Sequence, residues 1–246
     1  MMGFTPKFEN SIPRLKKGQV HVWQMSLNHS IKQEDWEWLS VEEKTKINRL
    51  RDGVHRKSAT SMRTQLRRLL SMYLDKSPAE ISFKAAQFGK PYLDDSSLSF
   101  NISHSGDLAL VAITLNQEVG IDIEKWRFLE NLEGLVKRNF SDREQQAWLT
   151  VEDSQRQQTF FNLWTCKEAF IKATGRGLGM GVSRCGFSLT QPNTLMECPD
   201  EYGEMSEWSC FQLEVGEKVS ACMMLRSKSC SPLFYVFDPE NLPQMG

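Results

Sequence analysis

The sequence predicts an α/β (α+β) fold built as two halves, residues 1–117 and 118–246. Three observations predict it. Each half holds a long segment free of Gly and Pro with helical periodicity, 56–74 in the first and 157–174 in the second. Each half also holds short strand-like runs, 98–102 and 107–115 in the first and 119–124, 208–215 and 219–225 in the second. Their order lacks the regular βαβ alternation of a doubly wound sheet. With 246 residues, 40% of them hydrophobic, the chain can bury one sizeable core or two smaller ones.

The elements follow in order. Residues 20–27 alternate as a strand does. Residues 40–51 and 56–74 read as helices, with Leu66, Leu69, Leu70 and Tyr73 on a packed face and an Arg-rich face in solvent. Ser77-Pro78 breaks the pattern and can start a helix. A short strand at 81–83 and a turn at Gly89-Lys90-Pro91 come next. Residues 98–102 and 107–115 are strands, the second almost wholly apolar and so buried on both faces. Asn116-Gln117-Glu118 reads as a hairpin connection to a strand at 119–124. Ser141 is an N-cap with Glu144 three residues on, the pattern of a capping box. The helix 157–174 stops at Gly175-Arg176-Gly177, where glycine permits a left-handed C-cap. Residues 125–140 read as irregular and 226–246 as a loosely packed tail.

Composition excludes several classes. No stretch nears the roughly 20 apolar residues that span a bilayer, and the first residues contain no apolar signal region, so the expected location is the cytosol. Six cysteines occur without C-x-x-C spacing, which points to reduced thiols packed as small hydrophobes. The net charge of −1 argues against a nucleic-acid binder, but residues 44–68 carry nine basic side chains against Asp52 alone. That segment should attract a multiply phosphorylated ligand or an acidic protein.

Asp122 and Glu124 share one face of a strand, with Ile121 and Ile123 on the other. Adjacent carboxylates repel unless a cation bridges them, and magnesium prefers such oxygen donors. A solvent-facing pair on an edge strand is the simpler reading. Trp164, Glu168 and Lys172 form one stripe of a helix. Trp164 draws the stripe toward the interior, although a surface Glu–Lys pair explains it equally. His104 lies in the run from Asn101 to Gly106, which reads as a tight loop suited to phosphate contacts or as a plain exposed loop.

Together the runs 100–106 (FNISHSG), 119–124 (VGIDIE) and 164–172 (WTCKEAFIK), with the Gly89-Lys90-Pro91 turn upstream, resemble the surfactin-synthetase-activating (Sfp) type of 4'-phosphopantetheinyl transferase. The resemblance spans roughly residues 40–190. It implies a monomer of two similar α/β halves related by a pseudo-twofold axis, with the active site between them. The first half would hold the nucleotide of coenzyme A and the second the metal. It implies Asp122, Glu124 and Glu168 as ligands of Mg2+, with Mn2+ as a substitute, and Lys172 and His104 as contacts to the diphosphate. Ser103, Gly89 and Lys90 fall in the nucleotide-binding part, and Lys46 and Arg56 are candidates for the 3'-phosphate. Glu144 falls where the family has a glutamate proposed as general base, against its capping-box reading. The implied partner is an apo acyl or peptidyl carrier protein, with neither nucleic acid nor membrane. A non-catalytic regulator that binds coenzyme A on the same scaffold is the alternative.

Overall fold

The computed structural model describes residues 7–8, 13–94, 96–177, 181–191 and 193–240. The first half contains β2 (Gln19–Ser26), α1 (Gln33–Glu37), α2 (Val41–Asn48), α3 (Gly53–Leu74), the hairpin β3 (Phe83–Ala85) and β4 (Pro91–Leu93), and β5 (Leu98–Ser105) and β6 (Leu108–Leu115). The second contains β7 (Val119–Lys125), α4 (Leu132–Asn139), α5 (Asp142–Trp148), α6 (Asp153–Thr174), the short strands β8 (Gly186–Phe187) and β9 (Leu195–Glu197), and β10 (Trp208–Leu213) and β11 (Val219–Arg226). β12 (Ser231–Phe237) follows, with β1 (Lys7–Phe8) parallel to it. No helix among the described residues is long and apolar enough to cross a membrane.

The halves repeat one plan. In the first, β6 lies between β2 and β5; in the second, β11 lies between β7 and β10. Alternate residues of the central strands serve two cores. Ala109, Val111 and Ile113 of β6 pack with Leu66, Leu69 and Leu70 of α3, while Leu110 and Ala112 turn to the opposite face. There they meet Ile121, Ile123, Ala221 and Met223 of the second sheet, the joint between the halves. The far face of that second sheet is covered by α6 through Cys166, Ala169 and Phe170. The layers therefore run α3, sheet, sheet, α6. This explains the unbroken apolar character of 107–115: both of its faces are core.

The repeat extends to side chains. Ser40 caps α2 in a capping box with Glu43, and Glu43 Oε2 accepts from Arg67 Nη2 at 2.7 Å. Ser141 caps α5 in a capping box with Glu144, and Glu144 Oε2 lies 2.6 Å from Lys167 Nζ. Arg67 also donates to Pro78 O (2.9 Å) and Ile81 O (2.7 Å) after its helix, and Lys167 to Val182 O (3.1 Å) and Cys185 O after its own. In each half a buried cation ties the long helix to the short helix before it and the turn after it. Arg67 is only 2% exposed, so the Arg-rich face of α3 is not uniformly solvated.

Several expectations need correction. The segment 116–118 is no hairpin: both edges of β6 are occupied by β2 and β5, so β7 starts the other sheet. The start of 226–246 is no loose tail, because β12 pairs in parallel with β2 and Tyr235 stacks on Trp23 at 4.7 Å between ring centroids. Residues 231–237 thus belong to the sheet of the first half, and the division at 117 does not hold for them; residues 241–246 lie outside the described residues. The stretch 125–140 contains α4. The run from Asn101 to Ser105 is strand rather than loop, closed by a two-residue turn in which Gly106 takes φ +61°.

Gly120 sets the approach of α6 to β7. A Cβ there would stand 2.0 Å from Ala169 O and 2.4 Å from Ala173 N, so only glycine lets helix backbone and strand backbone close on each other. Gly120→Ala should force α6 outward and destabilise the fold by about 3 kcal/mol or more, read as a fall in denaturant midpoint; an unchanged midpoint would refute the close approach. Glu144 and Lys167 are both 0% exposed. Glu144→Gln should cost about 3–5 kcal/mol by leaving a buried ammonium underpaired, and Glu144→Leu with Lys167→Met should recover much of that loss. Equal stability of all three proteins would refute the role assigned to the pair.

Candidate active site

β5 and β7 run side by side where the two sheets meet, and the side chains of β5 do the joining. Asn101 Oδ1 accepts from Ile121 N at 2.8 Å, and Ser105 Oγ accepts from Lys125 N at 3.0 Å. Between them Ser103 Oγ donates to Asp122 Oδ1 at 2.8 Å. Residues 101, 103 and 105 share one strand face, so one polar row bridges the halves.

Asp122 and Glu124 lie on the face of β7 that α6 covers, as the alternation predicts. Glu168 and Lys172, one turn apart on α6, approach the same face. Lys172 Nζ donates to Asp122 Oδ1 at 2.6 Å, to Ser103 Oγ at 2.9 Å and to Ile121 O at 3.2 Å. Asp122 Oδ2 is buried with no hydrogen-bond partner among the described residues. Glu124 Oε2 accepts from Ser105 Oγ at 3.2 Å and from Arg127 Nη1 at 2.7 Å.

Burial pushes the Asp122 carboxyl up, opposed by the Lys172 ammonium and the Ser103 hydroxyl. Burial, with the negative charges of Asp122 and Glu124, pushes Glu168 up to about 7, against the pull of Lys172. Three carboxylates thus crowd a face to which α6 brings the Lys172 ammonium. Their oxygens do not all come within 4.8 Å of one another, because Lys172 draws Asp122 and Arg127 draws Glu124. The donor set nevertheless fits a hard divalent cation: the oxygens are carboxylate, their charge exceeds the local positive charge, and Asp122 Oδ2 has a free lone pair.

His104 stands at the end of β5, on the strand face opposite Ser103. Burial lowers its pKa first, then the charge of Lys172, with smaller effects from Arg63 and His55. His55 comes from the first turn of α3 and Arg63 from its middle; Arg63 was counted in the basic segment but neither was given a site role from the sequence, although the stripe His55, Ala59, Arg63 at helical spacing could have shown them. Beyond them a groove of about 720 Å³ runs between α2, α3 and the β3–β4 hairpin, lined by Lys46, Ala59, Arg63 and Gly89 among others. Arg56 is exposed on α3 and does not line this groove.

Three expected site residues are occupied elsewhere. Lys90 Nζ donates to Val119 O at 2.9 Å and Lys172 O at 2.7 Å, fastening the hairpin turn to the end of α6, and burial lowers its pKa to about 8. The Ser103 hydroxyl is held between Asp122 and Lys172. Glu144 is fully buried: Oε1 accepts from Phe187 N and Oε2 from Ser141 N, both at 2.8 Å, besides the Lys167 pair. The capping box is present, and this carboxylate is buried with both oxygens partnered. Lys167, inside the 164–172 run, is the structural lysine that sequence reasoning left without a role.

Known proteins carry the same pattern. The family described as the 4'-phosphopantetheinyl transferase superfamily matches residues 118–222, and the one described as 4'-phosphopantetheinyl transferase, N-terminal, matches residues 23–116. The 4'-phosphopantetheinyl transferase HetI of Nostoc sp. is 34% identical over 228 residues, covering 90% of this chain and 93% of that protein. The 4'-phosphopantetheinyl transferase Sfp of Bacillus subtilis is 34% identical over 151 residues, 61% of this chain and 65% of that protein. The L-aminoadipate-semialdehyde dehydrogenase-phosphopantetheinyl transferase of Mus musculus is 30% identical over 200 residues, 74% and 63% respectively. The two matched families divide where β6 passes to β7, and the Nostoc protein aligns across both halves and the carboxylate face between them, so this chain belongs to the 4'-phosphopantetheinyl transferase superfamily.

Proposed function

We propose that this chain transfers the 4'-phosphopantetheine arm of coenzyme A to a serine of an apo acyl or peptidyl carrier protein, using Mg2+ held by Asp122, Glu124 and Glu168. The observation that carries the reading is the face where these carboxylates meet Lys172, with the partnerless Asp122 Oδ2 among them. No observation favours a non-catalytic coenzyme A-binding regulator.

Asp122, Glu124 and Glu168 would hold the cation, which would supply Lewis-acid neutralisation of phosphoryl charge. Lys172 supplies an ammonium already oriented by Ser103 and Ile121 O, so little reorganisation is needed as charge moves to the leaving oxygen. The carrier serine oxygen forms a bond to the phosphorus bearing the pantetheine arm. The phosphoanhydride bond breaks, and adenosine 3',5'-bisphosphate leaves. His104, kept neutral at pH 7, donates a hydrogen bond to a phosphoryl oxygen. Lys46 and Arg63 line the adjoining groove, where they could contact the nucleotide phosphate, alongside the acidic Glu42 and Glu43. The serine proton leaves to solvent water, because Glu168 must itself be ionised to hold the cation.

Incubation with coenzyme A, Mg2+ and an apo carrier should add the mass of one phosphopantetheine arm to the carrier. Asp122→Asn should slow that step by about 10²-fold or more. A panel of fatty-acid, polyketide and peptide carriers that gains no mass would refute the reading.

Glu168 also predicts a pH dependence. Its pKa rises from 4.5 to about 7 on folding. The folded state therefore holds this proton more tightly, and the resulting stabilisation is complete below about pH 4.5 and lost as pH rises through about 7. In chelator, the denaturant midpoint of the wild type should fall across that window relative to Glu168→Gln. Because a cation needs the ionised carboxylate, added Mg2+ should raise the melting temperature more at pH 8 than at pH 6. Parallel pH profiles for wild type and variant would contradict this.

A further inference from the structure

Three thiols converge in the core of the second half. Cys166 of α6, Cys210 of β10 and Cys222 of β11 are free, and their sulfurs all lie within 4.8 Å of one another. Cys210 Sγ is 3.5 Å from Cys222 Sγ and 4.0 Å from Cys166 Sγ. All three residues are buried, at 1%, 7% and 0% exposure. Cys222 is the register partner of Asp122, and Cys166 precedes Glu168 by two residues. The cluster therefore sits beside the carboxylate face, sharing α6 with it and standing one strand across the sheet from Asp122.

We propose that Cys166, Cys210 and Cys222 form a binding site for a thiophilic ion that takes three sulfurs, and specifically for trivalent arsenic. Thiolate donors select soft ions. Zinc in a closed site takes four ligands, and among the described residues three thiols converge here without a fourth. A complex with net charge would be costly in this apolar core, and the nearby Lys167 ammonium is already committed to Glu144 and two carbonyls. Trivalent arsenic bonded to three thiolates carries no net charge. In the step from arsenous acid, three As–S bonds form and three As–O bonds break. Each thiol proton leaves with a hydroxide as water, and no oxidation state changes.

Entry has a route. Gln212 Nε2 lies 3.6 Å from Cys166 Sγ, and the half-buried Gln212 side chain lines a groove of about 190 Å³ with Asn162 and Ser220. Displacing one amide opens the cluster to that groove. Once bound, the ion would cross-link α6 to the β10–β11 hairpin beside Asp122 and Glu168.

The test uses the reduced full chain and arsenite, with no dependence on transferase activity. Native mass spectrometry should show one arsenic gained and three hydrogens lost per chain. Of the six thiols, three should remain titratable in denaturant when the complex is intact, and X-ray absorption should give three sulfur neighbours. Cys198→Ser with Cys230→Ser should keep this uptake, whereas Cys222→Ala should weaken it at least tenfold. No uptake, a two-sulfur shell, loss of uptake in the Cys198→Ser/Cys230→Ser protein, or tighter binding of Zn2+ than of arsenite would each overturn the proposal. The sulfur shell and thiol count are read on the wild type, so the result stands even if the Cys222 variant folds poorly.

Discussion

The pair between Asp122 and Lys172 holds the site together, and much of the architecture exists to place it. Asp122 comes from β7, Lys172 from α6, and Ser103, which touches both, from β5 in the other half. An isolated carboxylate this buried would be protonated rather than charged. Lys172 and Ser103 keep it usable as an anion, but they satisfy only Oδ1. Oδ2 is left without a partner, on a face that also carries Glu168 and the Arg127-paired Glu124. A face that assembles this much negative charge, and leaves one lone pair free, has the donor chemistry of a hard-cation site.

Gly120 and the row Asn101, Ser103, Ser105 bring the three elements close enough for that pair. Glycine removes the side chain that would separate helix from strand. The polar row replaces the ladder hydrogen bonds that β5 and β7 do not make with each other, so the seam between the halves needs no continuous sheet. Both devices spend local stability, glycine through backbone entropy and the seam through buried hydroxyls. The apolar joint between the sheets and the buried pairs Glu43–Arg67 and Glu144–Lys167 supply rigidity on either side of it.

How much of this was legible in the sequence follows from which signals are local. The alternation placing Asp122 and Glu124 opposite Ile121 and Ile123 has period two, and the stripe Trp164, Glu168, Lys172 has the period of a helix, so both survived folding unchanged. The capping box at Ser141 was equally local, and the structure forms it. The strand through Ser105 was misread because its residues are polar, and they are polar because they form the seam; a strand that bonds through its side chains resembles a loop in composition. β12 was misread because its partner β2 lies some 200 residues earlier in the chain. The repeat of the two halves was hidden because they share geometry rather than residues: a capped short helix, then a 22-residue helix carrying a buried cation, arginine in one half and lysine in the other.

That repeat also shows why the chemistry lies in one half. In the sheet registers Trp23 of β2 stands opposite Val111 as Asp122 of β7 stands opposite Cys222. Where the second half places Gly120, Asp122 and Glu124 under α6, the first places His21, Trp23 and Met25 under α3. Tyr73 Oη bonds His21 Nδ1 at 2.6 Å and Trp23 Nε1 at 2.8 Å, and these rings fill the space between strand and helix. Burial drives the His21 pKa down to about 4, so this interior carries no charge at neutral pH. The first half is thus a filled copy of the scaffold, with ring contacts where the second half has carboxylates. The second holds carboxylates and a close-packed helix in that space. The duplicated fold therefore fills the strand–helix space of one half with rings and leaves that of the other to charged groups, and Ser103 of the first half reaches across the seam to bond Asp122 and Lys172 there.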